Sequence, residues 1–386
     1  MATLYAVSGF FSILAAQTDM YDLGLSASPE DITIVPTFLY CALITLLILP
    51  FQKIAKIPPK KIVVEDEGLF NFISVFYMLM LALAVFLMFK GVSHVLQSDL
   101  QEMKIESRTA GGVAASSRKG VAFMGFFIDF SFFLIPFFFA SMCCLRRKLV
   151  FTVFLFCASL TRVFIALVNV DRSRLLFWVY LMFFSLVFFR PFMSRKQKRG
   201  LLLGGLIVGF LIASYFLAVT IARFHFRTAG TTGGFISYAG QSFIYFCHFY
   251  HNYPPVYSLY RILPLFTPPT TADGLTLRWL YSVQTGMDIG VFTSVLGVFY
   301  ADLGLIGMIS MVLFLHGLFR WGMARITKHT MTFSNVLLLY AMAVIPLWGN
   351  INYWCDSRPR MMALVYCLLI AWLMRLRSRR QIPGVP

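Results

Sequence analysis

Residues 32–51 have the sequence ITIVPTFLYCALITLLILPF, which contains no charged side chain. A helix rises about 1.5 Å per residue, so these residues reach about 30 Å, the thickness of a bilayer's hydrocarbon core. Similar apolar stretches recur along the chain. The sequence therefore predicts an all-α polytopic membrane protein with about ten transmembrane helices, at residues 2–17, 32–51, 68–89, 121–144, 149–169, 175–190, 200–221, 296–319, 333–350 and 361–375.

Composition excludes a soluble protein. Of the 386 residues, 59% are hydrophobic and 13% are charged, whereas a soluble domain has about 25% charged residues. The formal net charge is +17, which in a soluble chain suggests nucleic acid. In a membrane protein, a positive net charge is explained first by the excess of Lys and Arg in cytoplasmic loops.

The basic residues predict the orientation. They concentrate in five short segments, at residues 53–61, 146–148, 190–199, 320–328 and 375–380. All five segments lie on one side if the N-terminus is cytoplasmic, and most acidic residues then lie on the other side. The sequence therefore predicts that both termini are cytoplasmic, and the net charge calls for no nucleic-acid partner.

One long outer loop divides the chain into three predicted regions: residues 1–221 with seven spans, the loop 222–295, and residues 296–386 with three spans and a basic tail. The loop is rich in aromatic residues, proline and glycine. Loops this long are usually functional or disordered, and this one is too apolar for disorder. We expect it to fold as short helices, one of them near 235–251.

Arginine is the basic residue of this loop, which contains no lysine. The guanidinium group binds phosphate through two parallel hydrogen bonds, which a lysine cannot do. The pattern predicts a pocket for an anionic, phosphate-bearing substrate, formed by Arg223, Arg227, Arg261 and Arg278 with Arg172 and Arg174 of a nearby outer turn. The alternative is that these arginines pair with lipid headgroups and with Asp171, Asp273 and Asp288.

Four residues are candidates for a general base: His248, His251, Asp288 and Asp302. An ionisable residue at the edge of a span suggests function, although Asp302 could equally be a hydrogen-bonded helix cap. The loop contains no HExxH, GxSxG, Walker or DxD pattern, so the sequence predicts no metal and no cofactor. Asp129 and Arg162 lie deeper, inside two predicted spans, and whether they pair is left open.

Several features together resemble the Wzy-type oligosaccharide repeat unit polymerases, also called O-antigen polymerases. These are the ten or so spans with one dominant loop late in the chain, and Arg172-Ser173-Arg174 at the start of a span. The loop also has Arg223 separated by ten residues from Gly234. Residues 300–307, with Asp302, Gly304 and Gly307, are similar to the family's DxGxxG pattern after the loop.

The resemblance implies glycosyl transfer at the periplasmic face of the bacterial inner membrane. One oligosaccharide linked to undecaprenyl pyrophosphate donates its glycan, and a second lipid-linked oligosaccharide accepts it. The arginines would stabilise charge on the leaving pyrophosphate, with Gly234 part of the substrate site. One of the four candidate bases would activate the acceptor hydroxyl. The aromatic residues of 243–260 would stack on sugar rings. A flippase and a chain-length regulator are implied partners.

Two other functions fit the same sequence. An O-antigen ligase shares the architecture and the donor but transfers the glycan to the lipid A core. A transporter or flippase for lipid-linked oligosaccharide would instead show inverted repeats and broken helices near mid-membrane. The polar residues of this sequence lie mainly outside the predicted spans, which favours the polymerase.

Overall fold

A computed structural model describes residues 1–17, 28–56, 59–97, 125–168, 172–205, 209, 214, 230–267, 277–285, 293–326 and 330–381. Within these ranges the chain is mainly helical, with one small sheet. The sheet pairs β1 (Lys61–Val63) with β2 (Thr330–Thr332) in parallel, so that Lys61 lies opposite Thr330.

The helices have the following bounds, and residues 195–205 are also helical. In chain order they are α1 (Ala2–Gln17), α2 (Ile34–Ile48), α3 (Gln52–Lys56), α4 (Glu67–Gln97), α5 (Gly125–Phe130), α6 (Leu134–Cys143), α7 (Leu149–Ser159), α8 (Thr161–Val168), α9 (Arg172–Phe189), α10 (Gly230–Asn252), α11 (Leu277–Thr285), α12 (Ser294–Ile326), α13 (Phe333–Trp348) and α14 (Arg358–Gln381).

Five helical segments of the described chain are long and apolar enough to cross a membrane. They are Ile34–Ile54, Glu67–Phe86, Ser173–Phe192, Ser294–Ile326 and Arg358–Arg377, and each coincides with a predicted span. The predicted spans at 2–17, 121–144, 149–169 and 333–350 contain shorter apolar helices. The span predicted at 200–221 lies largely outside the described residues. A mainly helical chain with five segments able to cross a bilayer is therefore confirmed.

Two predicted spans are interrupted. The span at 121–144 divides into α5, a 3₁₀ turn at Ser131–Phe133 and α6. Pro136 has no N–H to donate to the carbonyl of Phe132, and its ring crowds that carbonyl, which explains the tighter turn. The span at 149–169 breaks at Leu160, whose N–H bonds to Cys157. The hydroxyls of Ser159 and Thr161 bond to nearby carbonyls there, in competition with the helix.

The chain forms two compact units from interleaved segments. Unit 1 contains Met1–Pro58, Phe224–Thr327 and Met342–Met362, and unit 2 contains Pro59–Arg223, Lys328–Ala341 and Ala363–Pro386. These units are discontinuous along the chain, whereas the three predicted regions are contiguous.

Unit 1 is centred on α10, in which residues 240–249 are all buried. The neighbouring α1 buries one face, formed by Tyr5, Ser8, Ser12 and Ala15 at helical spacing. The Ser12 hydroxyl donates to the carbonyl of Gly240. Because Gly240 has no side chain, the two helix backbones approach closely there, as small residues allow in membrane proteins.

Unit 2 has an aromatic centre. Phe70 of α4, Phe137 of α6 and Phe333 of α13 pack with ring centroids 4.9–5.3 Å apart. Beside the small sheet, the carboxylate of Glu65 accepts the backbone N–H of Ser334 at 3.1 Å. This contact satisfies a donor in the first turn of α13, where helix N–H groups have no partner within the helix.

Candidate functional site

The candidate site lies in unit 1, at the end of α10. The helix predicted near 235–251 is confirmed by α10, which runs from Gly230 to Asn252. Pro254 and Pro255 follow after Tyr253, and proline cannot continue a helix because it lacks the N–H. The polar side chains at positions 248, 251 and 252 are therefore displayed by the last turn of a helix.

His248 and Asn252 share the carboxylate of Asp31. Nδ1 of His248 lies 2.7 Å from Oδ2 of Asp31, and Nδ2 of Asn252 donates to Oδ1 at 3.0 Å. The backbone N–H of Ser28 donates to the same Oδ2 at 2.8 Å. The side chains of His248 and Asp31 are only 7% and 12% exposed. A predicted base is thus held by a carboxylate, and we call Ser28, Asp31, His248 and Asn252 the Asp31 cluster.

His251 lies on the exposed side of the same helix turn. Its Nε2 is 2.9 Å from the hydroxyl oxygen of Thr33, and its ring packs edge-on to Tyr250 at 5.2 Å. Its partner is a hydroxyl, whereas His248 has a carboxylate. An ionised partner orients an imidazole more strongly, so the geometry favours His248 over His251 as a base.

Asp302 holds the chain around Arg261. Its Oδ2 accepts the backbone N–H of Arg261 at 2.9 Å, and the Asp302 side chain is buried. One residue earlier, the carbonyl of Ala301 accepts the N–H of Val256 at 2.9 Å. These bonds attach the loop after α10 to α12, and they make Asp302 a partner of the loop backbone rather than a cap of its own helix.

The buried guanidinium of Arg261 joins a polar network. Its Nη2 donates to Oδ1 of Asn352 at 3.1 Å, and Nδ2 of Asn352 donates to Asp356 at 2.8 Å. Asp356 forms an ion pair with Arg360, with an N–O distance of 2.5 Å. We call Arg261, Asp302, Asn352, Asp356 and Arg360 the Arg261 network. It contains the ion pair of Asp356 with Arg360 and the buried guanidinium of Arg261 bonded to the Asn352 amide.

Two more ionisable groups lie beside this network. Burial raises the pKa of Tyr353 well above its ordinary value and raises the pKa of the Cys355 thiol to about 12. Neither group therefore carries a negative charge near neutral pH.

Asp302 and Gly304, two residues of the DxGxxG-like pattern, have structural roles. The helix α12 is kinked at Gly304, where φ is 70° and ψ is −175°, a conformation open almost only to glycine. A Cβ at Gly304 would lie 3.2 Å from the hydroxyl of Tyr257. Asp302 thus binds the backbone of the turn at Arg261, and the kink at Gly304 leaves space for the side chain of Tyr257.

Most aromatic residues predicted to stack on sugars instead form the core of unit 1. The side chains of Phe243, Tyr245, Phe246, Phe249 and Tyr253 are at most 4% exposed, because α10 is surrounded by other helices. The prediction is wrong for these five. Tyr257, at 76% exposed, remains available for stacking.

The other predicted binding residues are distributed as follows. Arg174 is buried in α9 of unit 2. For three others the structure describes only the helical backbone: Arg172 starts α9, Gly234 is in α10 and Arg278 is in α11. Three lie outside the described residues altogether: Arg223, Arg227 and Asp288.

Sequence reasoning missed Asp31 and residues 349–360. Asp31 is separated from His248 by 217 positions, and nothing local marks it. The segment 349–360 carried a usable signal, because Asn350, Asn352, Asp356, Arg358 and Arg360 follow an apolar helix within a few residues.

Residues 248–261 therefore carry both an oriented imidazole, at His248, and a buried, anchored guanidinium, at Arg261. An imidazole held in this way can accept a proton from a hydroxyl group, and arginines suit phosphate. Comparisons with protein-family models, with curated proteins and with solved structures find no match to this chain.

Proposed function

We propose that this protein is a membrane glycosyltransferase that polymerises oligosaccharide repeat units linked to polyprenyl pyrophosphate. It would act at the periplasmic face of a bacterial inner membrane and make O-antigen, capsular or exopolysaccharide. Donor and acceptor are both lipid-linked, so both reach the enzyme from the bilayer. The donor is already activated by its pyrophosphate, so the transfer needs no nucleotide sugar.

The Asp31 cluster is the observation that carries this proposal. Glycosyl transfer to a hydroxyl needs a group that removes the hydroxyl proton as the new bond forms. His248 is suited to this role because a neutral imidazole nitrogen can accept a proton and the carboxylate of Asp31 holds the ring. Two other donors, Nδ2 of Asn252 and the backbone N–H of Ser28, keep the Asp31 carboxylate in place.

Arg261 supports the second half of the reaction, departure of the pyrophosphate. Negative charge grows on the leaving oxygen, and fixed cations in a site shielded from water stabilise it strongly. Asp302 fixes the Arg261 backbone, and Asn352 accepts one of its guanidinium N–H groups. The same proposal includes a role in substrate binding for the other predicted residues, which are Arg172, Arg174, Arg223, Arg227, Gly234 and Arg278.

The proposal includes the topology of ten spans with cytoplasmic termini and a periplasmic loop at 222–295. The five long apolar helices support the membrane spans. The distribution of basic residues supports the orientation with cytoplasmic termini. Labelling of introduced cysteines in intact cells tests it. Phe266→Cys, at an exposed loop position, should react with a membrane-impermeant maleimide, and exposed Lys196→Cys should react only after lysis. The reverse pattern would remove the basis for the polymerase.

Reconstitution tests the activity. Purified protein in sealed proteoliposomes receives a polyprenyl-pyrophosphate oligosaccharide, and products are resolved by gel and mass spectrometry. We expect lipid-linked glycans of two and more repeats together with released polyprenyl pyrophosphate. Glycan transfer only after lipid A core is added would identify a ligase. Movement of the lipid across the bilayer without elongation would identify a flippase.

Arginine variants test the pocket by complementation of a deletion strain. Arg223→Ala, Arg261→Ala and Arg278→Ala should shorten or abolish the polymer, while Arg195→Ala, at an exposed site in a predicted cytoplasmic segment, should not. Because Arg261 is buried, protein levels are compared by immunoblot, and Arg278→Lys provides a milder variant. The pocket is wrong if all three alanine variants leave polymer length and amount unchanged.

A transporter is the second candidate, and one feature of unit 2 favours it. Asp129 and Arg162 form an ion pair beside the breaks in two predicted spans, and broken helices with charged residues are typical of transporters. The flippase outcome of the reconstitution would support this candidate.

A further inference from the structure

Asp31 is 217 positions away in sequence from His248, which belongs to the helix that Asp31 contacts. It closes the short turn Pro29–Asp31 ahead of α2, whereas His248 and Asn252 are one helical turn apart on α10. Asp31 and His248 are both nearly buried. The contact is therefore built by the tertiary fold, and its geometry decides which nitrogen of His248 carries the proton.

Two groups approach Nδ1 of His248: Oδ2 of Asp31 at 2.7 Å and Nδ2 of Asn252 at 3.1 Å. The nitrogen cannot donate to the carboxylate and accept from the amide at once. The carboxylate contact is shorter and charge-assisted, which makes it the stronger bond. Nδ2 of Asn252 has other acceptors, namely Oδ1 of Asp31 and the carbonyl of His248. Nδ1 therefore carries the proton, and the lone pair of the neutral ring is on Nε2.

We propose that Asp31 is a positioning residue that makes Nε2 of His248 the general base, with Asn252 and the Ser28 N–H holding the carboxylate. This inference rests on the proposed glycosyl transfer. In that step the acceptor oxygen bonds to the anomeric carbon of the donor while its proton passes to Nε2. The bond from the anomeric carbon to the pyrophosphate oxygen breaks, and its electron pair leaves with polyprenyl pyrophosphate. The imidazolium then returns its proton to water.

The Asp31→Asn variant tests the inference, because an amide has nearly the shape of a carboxylate. Its NH₂ can donate to Nδ1, which moves the ring proton to Nε2 and removes the base. We expect kcat for elongation to fall about 100- to 10,000-fold with KM little changed. Asp31→Glu should recover part of the rate. Glu30→Gln is the matched control, since it makes the same exchange at the neighbouring exposed residue, and it should keep the wild-type rate.

A second readout does not depend on activity. ¹⁵N NMR of labelled histidine, assigned by the signal lost in His248→Gln, reports which ring nitrogen is protonated. We expect the Nδ1–H form in the wild type and the Nε2–H form in Asp31→Asn, with unchanged thermal unfolding. An Nε2–H wild type, or an Asp31→Asn variant within threefold of the wild-type rate, overturns the inference. If wild-type protein elongates nothing while the NMR shift occurs, the proposed function fails and the positioning contact stands.

Discussion

The carboxylate of Asp129 lies 2.8 Å from Nε of Arg162, an ion pair whose aspartate side chain is only 4% exposed. The backbone N–H of Arg162 also donates to the Ser131 hydroxyl oxygen at 3.2 Å. The pair therefore joins the two interrupted predicted spans at their breaks. In an apolar surrounding neither charge is stable without the other.

Removing one member of this pair should destabilise the protein strongly. We expect Asp129→Ala or Arg162→Ala each to lower the free energy of unfolding by about 3–5 kcal/mol, because the remaining charge is left without its partner. The double variant Asp129→Ala/Arg162→Ala should lose less than the sum of the two single changes. Unfolding by SDS in mixed micelles measures all three, and strictly additive losses would contradict the coupling.

Gly304→Ala should destabilise unit 1 and reduce activity. The backbone conformation at Gly304 costs a residue with a side chain about 1–3 kcal/mol, and the added Cβ would also lie close to Tyr257 and Pro255. Gly317→Ala in the same helix is the control. No atom lies within 4 Å of a Cβ there, so it should be neutral or stabilise by up to about 1 kcal/mol. Equal effects of the two changes in unfolding experiments would show that the kink is unimportant.

Gly240→Ala should separate α1 from α10. A Cβ at Gly240 would lie 2.5 Å from the backbone nitrogen of Ser12, so the helices must move apart, at a cost of about 1–3 kcal/mol. Gly9→Ala on α1 adds the same methyl group where nothing lies within 4 Å. Thermal unfolding in detergent should give Gly240→Ala a clearly lower midpoint temperature than Gly9→Ala. The opposite order would contradict this packing.

Cys247 and Cys355 should resist alkylation in the folded protein. Burial raises the pKa of each thiol to about 12 from an ordinary value of 9.0. At pH 8 the reactive thiolate is therefore about a thousandfold scarcer than for an exposed thiol, and it becomes abundant only as the pH approaches 12. Mass spectrometry after N-ethylmaleimide treatment in detergent should find Cys247 and Cys355 largely unmodified. SDS-denatured protein provides the fully reactive reference, and rapid native labelling of Cys355 would contradict its burial.

The amino-acid sequence was sufficient for features that depend on neighbouring residues. The transfer of a helix into lipid depends on the summed hydrophobicity of about twenty consecutive residues, so the five long helices coincide with predicted spans. The helix α10 was also predictable, since Pro254 and Pro255 mark its end. The same reasoning could not foresee the break at Leu160, because Ser159 and Thr161 are tolerated in most helices and act here through their particular hydrogen bonds.

The partners of the charged residues were decided by the tertiary structure alone. Asp31 and His248, Arg261 and Asp302, and Asp129 and Arg162 are each distant in sequence, and composition treats every such residue as an independent charge. Which charges meet depends on how the helices pack and where the loops cross, and on the desolvation that makes an unpaired buried charge so unfavourable. The same packing placed most of the predicted sugar-stacking aromatics in the core and left Tyr257 on the surface.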